Sequence, residues 1–284
     1  MRAPPILQFS PQPGPVQTLA LALVLTFAAP VTSRAAAADD YAPCVVLLYN
    51  ASITPSTNNQ PVLHVESGTG FFVATTNYRP YLVTAEHVSK ILSPNSHIVF
   101  DPERDTPTDL PLTSLLQSGV WFTAHSQADV AAVPIEPRQN TVNLFANRCF
   151  PINSLESQKT APPHYVMLTT IGFPTSVFLS FPNSPIFKES KSASGLRTMQ
   201  RFDTNKPALF FLLQDPTVGG LSGGPVWDFL LPELNGSVVI RAGQPKCYGI
   251  VHGNIADETG GKLAAITPSC FVVELINQIE SGQR

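Results

Sequence analysis

Charge is scarce in this 284-residue chain: Asp, Glu, Lys and Arg together make up 13% of it, and the formal balance is only −3. With no run of Lys or Arg, the sequence offers no electrostatic footprint for nucleic acid or an anionic membrane. Cysteine is nearly as sparse, at four residues, and no pair has the C-x-x-C spacing of a structural zinc site. After the first forty residues no apolar run is long enough to span a bilayer as a helix. Helical periodicity is missing almost everywhere as well. It surfaces only over residues 268–279, where Phe271, Val272, Leu275, Ile276 and Ile279 share one face.

What is present is apolar and heavily punctuated. Hydrophobic residues make up 43% of the chain, enough to bury a full core in one or two units. Twenty-eight prolines and seventeen glycines, scattered rather than clustered, cut the sequence into short runs rich in branched and aromatic residues. "CVVLLYN", "TGFFVATT", "RPYLVTAEHV", "ADVAAVPI", "YVMLTTIGF", "ALFFLL" and "CYGIVHGN" all have the length and composition of strands. The chain therefore reads as all-β with one terminal helix. A polar, proline-containing stretch without alternation divides it, giving a first unit over residues 41–135, a linker over 136–162, and a second unit with the helix over 163–284.

Residues 1–38 stand apart from that fold. The apolar stretch "LALALVLTFAAPV" is short for a membrane span and is followed by small residues, so it reads as a secretory signal cleaved near Ala37 or Ala38. The alternative is an uncleaved membrane anchor. The expected product is secreted or periplasmic and off the membrane once the leader is removed. An even number of cysteines in an exported chain implies two disulfides among Cys44, Cys149, Cys247 and Cys270, in any of three pairings. Four buried free thiols are the alternative. "NAS" at Asn50 and "NGS" at Asn235 are glycosylation sequons.

The densest local signal is "VGGLSGGPVW", which crowds four glycines around the hydroxyl of Ser222. A tight surface turn would account for it. So would a need to bring backbone amides close to whatever reacts beside that oxygen. A serine nucleophile needs a histidine base, and behind the base a carboxylate to orient it. His87 stands in "YLVTAEHV", where a strand gives way to a turn, and Asp129 heads the apolar strand of "ADVAAVPI". An aspartate buried there without a partner would be costly, so Asp129 should be bonded to something. His64, His97, His125 and His164 match no motif, and no metal or other cofactor is called for.

In order, "SGTGFFV", "YLVTAEHV", "ADVAAV", "GGLSGGPV", "YGIVHG" and "AAITPS" with a closing helix resemble the chymotrypsin-fold, trypsin-like serine peptidases, most closely the short bacterial members. The likeness runs from about Cys44 to the C-terminus, and the order His, Asp, Ser is that clan's. It implies two six-stranded antiparallel β-barrels with a catalytic cleft between them. In that cleft Ser222 would attack the scissile carbonyl of a peptide or protein, His87 would carry the proton, and Asp129 would hold the imidazole. The Gly220 and Ser222 amides would form the oxyanion hole. The reading is a monomeric serine endopeptidase; the rival is a catalytically idle binding module on the same fold.

Three positions depart from the family pattern. Leu221 replaces the aspartate that pairs with a new N-terminus in zymogen activation, so the nucleophile loop must be held by packing. Glu86 replaces a small residue beside His87 and is expected to point into solvent, because neighbours on a strand face opposite ways. His252 stands where a serine is common, within reach of Asp129 or the specificity pocket. The resemblance places that pocket's floor at Pro216, beside Thr217, with His252 across the cleft. No charge there meets Lys or Arg, so neutral or acidic residues are the expected preference before the scissile bond.

Overall fold

The computed structural model describes residues 40–55, 61–101, 106–138, 141–175, 184–229, 244–256 and 258–282. The leader, the Asn235 sequon and half of the acidic loop at 102–109 lie outside them. The described residues form two antiparallel sheets and two α-helices. The first sheet holds β1 (Val45–Pro55), β2 (Pro61–Ala74), β3 (Pro80–Thr84), β4 (His97–Phe100), β5 (Thr108–Pro111), β6 (Thr123–Ala124), β7 (Ala131–Pro134) and β8 (Phe150–Pro151), in the order β5-β4-β1-β2-β3-β7-β6, with β8 parallel to β2. The second holds β9 (Met167–Gly172), β10 (Ile186–Lys191), β11 (Arg197–Gln200), β12 (Pro207–Leu213), β13 (Pro225–Asp228), β14 (Lys246–Ala256) and β15 (Lys262–Pro268), in the order β10-β9-β13-β14-β15-β12-β11. This is the expected all-β arrangement, closed by helix α2 (Cys270–Glu280). The sheets carry eight and seven strands rather than six each. The surplus includes the two-residue pieces β6 and β8, too short to leave an alternating pattern in the sequence.

Period-2 geometry explains why Val45–Leu48 in β1, Phe71–Val73 in β2 and Tyr81–Val83 in β3 are apolar without interruption. Val45, Leu47, Phe71, Val73, Tyr81 and Val83 face one core, while Val46, Leu48, Phe72 and Leu82 face another. The second of these cores is the filling of the first unit, closed by Phe100, Leu112 and Leu115. The first continues into the other unit through Ile171, Trp227, Ile250 and Phe271, so the two units share one apolar interface. Among the described residues, no helix is long and apolar enough to cross a membrane.

The disulfide expectation is overturned: all four cysteines are free thiols. Cys44, Cys247 and Cys270 are buried as small apolar side chains in the shared core, and Cys149 packs against the first unit's own core. Burial pushes their thiols up, to about 12 for Cys44 and Cys247 and about 11 for Cys149 and Cys270.

Candidate active site

Asp129 is the anchor of the site. Its carboxylate is wholly buried just before β7, and four N–H groups point at its two oxygens. Oδ1 accepts from the His87 backbone amide at 3.0 Å and from Arg201 Nη2 at 2.9 Å. Oδ2 accepts from the ring Nδ1 of His87 at 2.7 Å and from Nδ1 of His252 at 2.6 Å. Burial alone would raise this carboxyl. The hydrogen bonds from His252 and His87 outweigh it and hold the group well below the ordinary carboxylate range. An ionised carboxylate only accepts, so both Nδ1 atoms carry protons, and Nε2 is the His87 ring nitrogen not spent on Asp129.

His87 lies one residue inside helix α1 (Glu86–Ile91), not at a strand end giving way to a turn. No Ser, Thr, Asn or Asp caps this helix from within; Ala85 precedes it in an extended conformation. Asp129 satisfies one of its orphan first-turn amides from 42 residues away. A helix start also explains why Glu86 does not point into solvent. Its carboxylate binds Arg201 Nη1 at 2.6 Å and Lys90 at 2.8 Å, an i,i+4 pair.

Arg201, on the turn between β11 and β12, is the residue that sequence reasoning missed. Only 5% exposed, its guanidinium joins Asp129, Glu86 and Asp203, the last at 2.6 Å from Nη2 and 2.9 Å from Nε. Burial would raise the Asp203 carboxyl, but the Arg201 hydrogen bonds hold it below its ordinary value. The next residue, Phe202, lays its ring 5.2 Å from that of His87 and 4.4 Å from that of His252. The sequence "QRFDTN" carries no motif to announce either residue.

Ser222 comes from the second unit, on the loop before β13, and its backbone carbonyl accepts from Thr69 of β2 at 2.9 Å. Gly223 has φ +85°, and a Cβ there would lie 2.2 Å from the Thr69 carbonyl and 2.3 Å from Thr84 Oγ1. It would also lie 3.0 Å from the amide nitrogen of Ala85, two residues before His87. Glycine is thus what lets the Ser222 loop press against the start of α1. Leu221 is fully buried in the second unit's core with Phe211, Val226 and Val251.

The amides of this loop are used unequally. Those of Leu221, Gly223 and Gly224 donate to Val218, Val251 and Leu221 carbonyls at 2.9 to 3.1 Å. Those of Gly220 and Ser222 donate to no protein group among the described residues. The Ser222 hydroxyl donates to the carbonyl of His252 at 3.3 Å rather than to His87. Nucleophile–base bonds often tighten only around a substrate.

Of the residues placed in a pocket, His252 sits against the Asp129 carboxylate. Its Nδ1 is spent on Asp129 and its buried Nε2 meets no partner. Pro216 is exposed, while Thr217 is half-buried with its backbone bonded to Asn254. His87, Asp129 and His252 offer atoms within 4.8 Å of one another, a spacing a metal ion could bridge. Yet four N–H donors, one from a guanidinium, already saturate the carboxylate, and that donor set suits proton handling better than a cation.

No family model matches the chain, and no curated protein matches it. Among solved structures, it is similar to a thermostable serine protease, AL20, from an extremophilic microorganism, at 12% identity and a TM-score of 0.45. The match covers 80% of this chain and 92% of that one. At that distance the likeness carries nothing about chemistry, which rests on the residues themselves.

Proposed function

We propose that this chain is a secreted serine endopeptidase working through His87, Asp129 and Ser222. The observation that carries the reading is the pair of undonated amides, Gly220 and Ser222, on the loop of a serine whose hydroxyl bonds the His252 carbonyl, while His252 and His87 are both held through Nδ1 by one buried carboxylate. Ser222 Oγ attacks the substrate carbonyl carbon as His87 Nε2 takes its proton. The carbonyl π electrons move to oxygen, and the two free amides stabilise the oxyanion. Collapse breaks the C–N bond, His87 returns the proton to the departing amine, and an acyl-enzyme remains. Water, deprotonated by the same imidazole, then attacks the ester and restores Ser222. Asp129 stays ionised throughout and holds the imidazolium in place.

The test is labelling of the purified protein with a fluorophosphonate probe, alongside hydrolysis of a mixed peptide library. Wild-type protein should label and cleave. Ser222→Ala should stay folded, fail to label, and lose roughly a millionfold in kcat. A Ser222→Ala variant that cleaved like wild type would remove the reading in favour of another nucleophile, and a wild-type protein that neither labelled nor cleaved would favour the idle binding module.

A further inference from the structure

Arg201 belongs to the second unit, yet two of the three carboxylates it holds belong to the first. Its backbone is pinned where the β11–β12 hairpin closes: its amide donates to the Lys206 carbonyl at 2.9 Å, and its carbonyl accepts from the Asn205 amide at 2.9 Å. From that base the side chain reaches the two residues that frame His87. Nη1 donates to Glu86, the residue before His87 in α1, and Nη2 to Oδ1 of Asp129, whose other oxygen holds the His87 ring. Among the described residues no other side chain bonds both. Four of the five guanidinium N–H groups are engaged, two of them by Asp203, which braces the fork from its own turn.

We propose that Arg201 is a positioning residue for the reaction, fixing the His87 ring from the opposite unit by holding the start of α1 and the Asp129 carboxylate in one planar fork. This rests on the reading of Ser222 as nucleophile. Ser222 is carried by the second unit and His87 by the first, so their approach depends on how the units seat against each other. Arg201 ties both supports of His87 to the unit that carries Ser222. Charge alone gives no reason for the residue, because a cation on Asp129 weakens the carboxylate's hold on the imidazolium that forms during the reaction. Geometry does, since a displacement of about 1 Å between reacting groups costs about 100-fold in rate. Lysine would keep the charge and lose the fork, because one ammonium has no rigid plane to span Glu86 and Asp129 together.

The experiment measures kcat, KM and the rate of fluorophosphonate labelling for wild type, Arg201→Lys, Glu86→Gln and Lys90→Ala, on one cleaved peptide and well below each melting temperature. Arg201→Lys should lose about 100-fold in kcat and a similar factor in labelling rate, while KM stays within about threefold of wild type. Glu86→Gln, which loosens one arm of the fork, should lose about tenfold in kcat with KM again unchanged. Lys90→Ala removes the other cation bonded to Glu86 and leaves the fork whole, so its kcat should stay within about threefold of wild type. A folded Arg201→Lys that turns over and labels like wild type, or whose loss lies in KM alone, would overturn the proposal and leave the serine peptidase reading standing. An equal loss in Lys90→Ala would overturn it too, by showing a general effect of charge near α1. Wild type that neither labels nor cleaves would overturn both. Should Arg201→Lys fail to fold, Glu86→Gln decides: a wild-type kcat there overturns the proposal.

Discussion

At the scale of single residues, the site is an exercise in satisfying one buried aspartate. Asp129 could not remain ionised at 0% exposure without its four donors, and two of these come from residues outside the expected triad, Arg201 and His252. Arg201 in turn answers three carboxylates, Asp129, Glu86 and Asp203. Truncation to Ala would leave those charges facing each other in a desolvated pocket. Arg201→Ala should therefore cost about 3–5 kcal/mol of stability, read by chemical denaturation. Arg201→Lys should recover part of the stability, because one ammonium cannot reproduce a fork that reaches three acids. Equal stability of wild type and Arg201→Ala would show the cluster to be solvated. His87, Asp129 and Ser222 could be picked out as candidates because each sits in its own short motif. Arg201 was not, because Asp129 and Glu86 lie 72 and 115 residues away and Asp203, two residues on, reads as an ordinary local pair.

At the scale of elements, two short pieces do the positioning: helix α1 and the loop before β13. Strands were legible from alternation and from β-branched runs. The six-residue α1 was not, since its length gives periodicity no room and one of its first-turn amides finds its acceptor on Asp129, far along the chain. Glu86 was misjudged for the same reason: its direction follows from being helical. The glycines of the loop were legible as a cluster, and the structure shows what one of them does. Gly223→Ala would push a methyl into the Thr69 carbonyl and Thr84 hydroxyl at a backbone angle L residues avoid. The expected result is a stability loss of roughly 1–3 kcal/mol and a fall in kcat of roughly 100-fold, from displacement of Ser222 against α1. Thermal melting and turnover on one peptide check this together. Gly219 offers the control: a Cβ there meets only Thr175 Oγ1, at 3.9 Å, so Gly219→Ala should leave stability nearly unchanged.

At the scale of the whole molecule, stability rests on the shared core and on buried groups whose charge states limit it at both ends of the pH range. The cysteine count suggested covalent staples, and the pairing question it raised has no answer because each thiol is simply packed. Counting cannot separate a staple from a small apolar side chain; only burial can. On the acid side, Asp129 and Asp203 have folded values below their ordinary 3.8, so their contribution is complete above about pH 4 and is lost as pH falls through the folded values. On the alkaline side the sign reverses. The buried thiols are raised from 9.0 to about 11 or 12, so their contribution is complete below pH 9. Above that, unfolded thiols ionise while folded ones resist, and stability falls as pH climbs toward the folded values. Burial also lowers the buried His125 below its ordinary 6.5, so its contribution is complete above about pH 6.5 and is lost as pH falls below that. The melting temperature should therefore be flat from about pH 7 to 9 and decline beyond both limits. Cys247→Ala should soften the alkaline decline without moving the acid one. Because no disulfide contributes, excess reductant at pH 7 should leave the melting temperature unchanged, and a thiol reagent should find four reactive groups after denaturation without reduction. A drop in melting temperature on reduction, with fewer than four thiols titrating before it, would show that covalent bonds help hold the folded chain.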